Sequence, residues 1–133
     1  MKMITREMIR RMKINKLGFD YMGYTFGNVN HLSYHHLLIP RRLGGKETFE
    51  NGAILVQKTS HEYLHTIEYI DPEIFYLITA EMVEQNLKGK LDVESLKHIR
   101  DLLLYFEKEH YDKKNKKGKR LIKREYIKNR IDL

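Results

Sequence analysis

Cysteine is missing from all 133 residues of the chain, which excludes disulfides, thiolate metal knuckles and a cysteine nucleophile. Any bound metal is left to nitrogen and oxygen ligands. Long apolar runs are missing too: the opening MKMITREMIRRMKINK is neither a secretory leader nor a membrane span, so the default expectation is a soluble cytoplasmic protein with no membrane partner. No internal repeat is evident, and the length suits one domain, 1–133, with a modest core.

What is present is charge, unevenly placed. The net charge is +7, yet residues 71–110 are acidic, with nine Asp/Glu against five Lys/Arg. The surplus lies at the ends: six Lys/Arg against Glu7 alone in 1–16, and ten against Asp112, Glu125 and Asp132 in 111–133. Two basic ends around an acidic middle suit the clamping of a polyanion, whose phosphates reward Lys and Arg through counterion release. A pair of solvated tails is the alternative.

Hydrophobic periodicity predicts an α+β chain. Thr5 is placed to cap a short helix with Ile4, Met8 and Met12 on one stripe. Residues 17–39 mix aromatic and β-branched side chains with glycine and asparagine, a pattern for short strands and turns, the last carrying His35 and His36 near its end. A glycine-bearing loop, 40–49, leads to a second strand over 51–57. Thr59 and Glu62 form a T-x-x-E capping box that opens a helix to about Ile70. Asp71-Pro72 starts the next helix, Gly89 ends it, and Asp92 opens a third that runs to about His110. Thus 71–110 reads as a helical extension and 111–133 as a basic C-terminal tail.

Five of the seven histidines fall between positions 31 and 65, and four of them, with Asn51, spell HH-x14-N-x9-H-x3-H. Imidazole is both the commonest ligand for zinc-like metals and the best general base near neutral pH. His61 and His65, four apart on a helix, face the same way. His35 and His36, adjacent on a strand, face opposite ways and so suit different tasks. Lone His31, His98 and His110 read as surface or capping residues, and Tyr34, Tyr63 and Tyr69 as packing.

The stretch YHHLLIPRRLGGKETFENGAILVQKTSHEYLH, 34–65, resembles the HNH endonucleases, in the colicin-type form of their motif. That resemblance implies a ββα-metal core over about 17–70, with an N-terminal helix and C-terminal helices around it. It implies metal-dependent hydrolysis of phosphodiester bonds, with His36 as general base and one divalent metal, whether Mg, Mn, Zn or Ni, on His35, His61 and His65. Asn51 completes the catalytic set in an orienting role. The implied partner is nucleic acid, double-stranded DNA, and Arg41 and Arg42 are placed to grip a phosphate. Lys113, Lys114, Lys116, Lys117, Lys119 and Arg120 are the candidate contacts in the tail. Nine residues separate Asn51 from His61, one more than is common in that family, so the helix must start a residue later or the turn must bulge.

Two other readings stay open. His61-Glu62-Tyr63-Leu64-His65 also fits HExxH, a zinc peptidase signature with Glu62 as base and Glu68 or Asp71 as third ligand. A noncatalytic nucleic-acid-binding protein stabilised by a metal is the second.

Overall fold

The N-terminal helix forms over Met3–Arg11 (α1), one turn earlier than a Thr5 cap would allow; Thr5 lies inside it and is buried. Lys13, in left-handed backbone at φ 57°, bends the chain into a single helical turn, Ile14–Leu17 (α2). Of the strands expected in 17–39 only Leu32–His36 (β1) appears, because the preceding segment is held by an isolated Phe19–Thr25 bridge and by side-chain bonds. Gly52–Val56 (β2) pairs antiparallel with β1, setting His35 opposite Ala53 and His36 opposite Gly52.

In this computed structural model, which describes all 133 residues, the chain is α+β: five helices and a two-stranded antiparallel sheet. Glu62–Ile70 (α3), Pro72–Lys88 (α4) and Val93–His110 (α5) follow the sheet. The caps read from sequence hold for the last two: Asp71 accepts from the Ile74 amide, Asp92 accepts from the Ser95 amide, and Gly89 ends α4 at φ 70°. None of the helices is long and apolar enough to cross a membrane.

The capping box does not form. The Thr59 hydroxyl is buried without a partner and Glu62 is exposed. A π-helical turn, Gln57–His61, joins β2 to α3 instead, and this wider turn absorbs the additional residue before His61. Ser60 anchors it by accepting from the Val56 amide at 3.0 Å and donating to the Asp20 carboxylate. Asp20, fully buried, also accepts from the amides of Met22, Tyr24 and Val56, each at 2.9 Å. One carboxylate therefore satisfies the donors of two segments that lack a regular partner.

The 111–133 segment is not a free tail. Its first part, around Lys113–Arg120, is exposed, but Ile122 and Tyr126 enter the same core cluster as α1, β2 and the long helices. Tyr126 stacks on Tyr63 at 4.9 Å, and Arg130 grips buried Glu107 with two bonds of 2.8 and 2.9 Å. No helix forms there, only a 3-10 turn at Arg124–Tyr126.

Candidate metal centre

β1 and α3 bring three of the four paired histidines to one point. His35 projects from the face of β1 that it shares with Ser33, and His61 and His65 from one side of the π turn and α3. Their ring centroids are 5.1, 5.2 and 5.1 Å apart, and one nitrogen from each lies within 4.8 Å of the others. That spacing suits three imidazoles around a single cation, whose bonds to nitrogen are about 2.0–2.1 Å for zinc.

The surroundings tune the rings for that role. The Nδ1 of His61 is 2.6 Å from the Ser33 hydroxyl, and the Nδ1 of His65 is 3.4 Å from a Glu68 carboxylate oxygen, which leaves Nε2 of each ring free to face inward. His35 is 4% exposed, and its buried Nε2 has no bond partner within the protein. A buried imidazole nitrogen without a partner is costly, and a shared cation would supply that partner. Burial first, then the neighbouring imidazoles, push His35 down to about 3 and His61 to about 4. Both are neutral at physiological pH, the form a metal needs.

These shifts set how stability depends on pH. A depressed histidine contributes stability that is present above its unfolded value of 6.5 and is lost as pH falls towards its folded value. Asp20 opposes this: burial raises it to about 6 against its hydrogen bonds, so its contribution is full below 3.8 and lost as pH rises through 6. The two histidines outweigh the one aspartate. The metal-free protein should therefore melt several degrees lower at pH 5 than at pH 7, His35 alone contributing about 2 kcal/mol to the difference. His35→Gln should flatten that slope, and an equal slope in both proteins would refute the assignment.

His36 lies on the other face of β1. Its ring meets Tyr34 edge-on at 5.0 Å, and its buried Nε2 has no bond partner within the protein. Gly52, directly across the sheet, has room for no side chain, since a Cβ there would overlap the Tyr34 ring. The missing side chain lets Tyr34 lie where it supports His36, while the Tyr34 hydroxyl bonds the Thr48 carbonyl at 2.6 Å.

A cleft of about 640 Å³ joins these groups: His35, His36, His61 and His65 line it, with Arg41 and Arg42 exposed on a 3-10 turn at its mouth. Asn51 is outside it. Its side chain accepts from the Leu38 and Ile39 amides at 2.9 and 2.8 Å and donates to the Ile39 and Lys46 carbonyls at 3.0 Å each. All four bonds go to the loop that carries the two arginines, so Asn51 is a positioning residue. Gly45 completes that loop, since a Cβ there would run into the Ile39 carbonyl.

Other sequence-derived candidates fall elsewhere. Glu62 does not line the cleft and Asp71 caps α4, whereas Glu68 lines it, 3.4 Å from His65. Lys113, Lys114, Lys116, Lys117, Lys119 and Arg120 line no part of it. Tyr63 is core and Tyr34 half-buried as packing residues, but Tyr69 is 85% exposed. His110 is half-buried, 3.7 Å from Asp71, and not a cap.

Sequence reasoning missed the supports. Asp20 gives no local signal, because its partners lie up to 40 residues away. Gln85 and Asn86 could have been found: they continue the apolar stripe of α4, and polar side chains at such positions need buried partners. Asn86 donates to the carbonyls of Phe49 and Gly52 and accepts from the Tyr21 hydroxyl, bracing the start of β2.

No family model matches the chain, and no curated protein or solved structure matches it.

Proposed function

We propose that the chain is an HNH-type, metal-dependent endonuclease that hydrolyses phosphodiester bonds in DNA, with a ββα-metal core made of β1, β2 and α3. The observation that carries this reading is the meeting of three imidazoles at one point with a fourth, His36, on the neighbouring strand position in the same cleft. His35, His61 and His65 are the residues that would hold a divalent cation. When bound, that cation supplies positive charge against the charge that grows on the phosphate oxygens during cleavage.

The rest falls to the chain's own side chains. His36, which lines the cleft, takes a proton from the attacking water. Arg41 and Arg42 bind the phosphate at the cleft mouth and hold it for in-line attack. Asn51 fixes the loop on which those arginines sit, and Ser33 and Glu68 fix the orientation of the ligand rings.

Nicking of supercoiled plasmid, assayed with Mg, Mn, Ni and Zn and with a chelator, tests the proposal. Cleavage is expected with at least one metal and not with the chelator. Glu62→Gln should keep this activity, since Glu62 lies outside the cleft, whereas it would abolish a zinc peptidase. Intact plasmid under every metal, with metal demonstrably bound, would reduce the chain to a metal-stabilised binder.

A further inference from the structure

Four cations that no sequence motif claims gather in one groove. Arg6 and Arg10 of α1, Lys13 at the bend and Lys16 of α2 line a depression of about 440 Å³ together with only Ile9 and Asn15. All four are exposed, and no acidic residue lines the groove; Glu7, 3.6 Å from Arg10, is the one carboxylate that pairs with any of them. Arg11 is committed elsewhere, stacked 3.7 Å over the Phe49 ring.

The groove is continuous with the metal cleft. Lys2 and Tyr34 line both the cleft and a neighbouring depression of about 450 Å³. That depression shares Met1 and Asn30 with a third, of about 300 Å³, which shares Arg6, Ile9 and Asn15 with the basic groove. Over Met3–Arg11 the helix advances roughly 12 Å, about the rise of three to four base pairs. The depression beside Arg120, Lys123 and Arg124 contains Glu125 and shares no lining residue with this track.

Lys13 adds an independent observation. Left-handed backbone strains any residue with a Cβ, and glycine would fill the position without strain. The fold alone does not call for a lysine there; a cation facing the groove does.

We infer that the α1–α2 groove is a second contact for the phosphodiester backbone of DNA, reached from the metal cleft along these depressions, where Lys2 is paired with Glu47 at 2.6 Å. The inference rests on the nuclease reading for what happens in the cleft, but not for binding in the groove. It moves the main electrostatic contact from the C-terminal basic segment to the N-terminal helix.

The test compares two variants of equal net charge, R6Q/K13Q/K16Q in the groove and K90Q/K97Q/K108Q on α5 and the turn before it, both in a His36→Ala background with a chelator present so that DNA is not cut during the measurement. Affinity for a twenty-base-pair duplex is measured against salt. The groove variant should flatten the logarithmic salt slope by up to roughly 0.9 per lost contact, and the control by much less. Lys13→Gly alone should weaken binding while leaving the melting temperature equal or higher. Equal losses in both triple variants would mean that only net charge matters and would overturn the inference. So would tighter binding of phosphatidylserine vesicles than of duplex by the same residues. Wild-type nicking decides the nuclease reading separately: groove-dependent binding without cleavage leaves the groove standing, and cleavage with groove-independent binding removes it.

Discussion

His36→Ala should slow DNA cleavage by at least about a hundredfold while metal binding and duplex affinity stay nearly unchanged. General-base catalysis contributes a factor of that order or more. The separation of effects follows from the strand: His36 faces away from the side of β1 that His35 shares with Ser33, and neither of its nitrogens bonds a metal-site residue. By contrast His61→Ala removes one of three imidazoles and should abolish cleavage together with tight metal binding. Isothermal titration with Zn or Ni beside single-turnover cleavage distinguishes the two behaviours. Cleavage by His36→Ala at the wild-type rate would mean that another group activates the water.

Deleting 121–133 should cost the protein its folded state. Ile122 and Tyr126 are 0% and 3% exposed, and their loss uncovers the Tyr63 ring that Tyr126 stacks against. Removing Arg130 strands the buried Glu107 carboxylate, which by itself costs roughly 3–5 kcal/mol. Adding two large apolar side chains at about 1.5–3 kcal/mol each brings the loss to the scale of a whole domain's stability. Neutralising Lys113, Lys114, Lys116 and Lys117 should leave the fold intact, since all four are exposed. Thermal unfolding followed by circular dichroism reads both, and a cooperative melt of the truncated chain within a few degrees of the intact one would refute the role given to this segment.

The histidine geometry was legible in the sequence because it depends on short periods. Four-residue spacing aligns His61 with His65, and alternation along a strand parts His35 from His36; neither needs knowledge of distant residues. Asp71, Gly89 and Asp92 were legible for the same reason, as local stop and start signals. The entry to α3 was not. Thr59 and Glu62 match a cap locally, but Ser60 wins because a buried carboxylate from residue 20 meets its hydroxyl, a long-range event that no window contains.

The C-terminal segment was misread for a different reason. Ten cations mask an apolar set, Ile122, Tyr126 and Ile131; Ile122 and Tyr126 are four apart, a spacing that allows an amphipathic helical turn, yet the segment forms only a 3-10 turn. It reaches the core as irregular chain. At the margins of α5, Val93 is 55% exposed, whereas Ser95 and Glu107 are buried. Pattern reading places the face of a helix but not the residues at its margin.

The pairing of Tyr24 with Arg130 also orders events in time. The Ile131 amide bonds the Gly23 carbonyl, the Thr25 amide bonds the Asn129 carbonyl, and the Tyr24 hydroxyl reaches the carbonyl of Tyr126, across more than 100 residues of chain. A ribosome that has made only the histidine motif has made a strand pair and a helix whose common floor is still unwritten. Contacts of such sequence separation slow folding, so the complete core has to wait until residue 131 has left the exit tunnel.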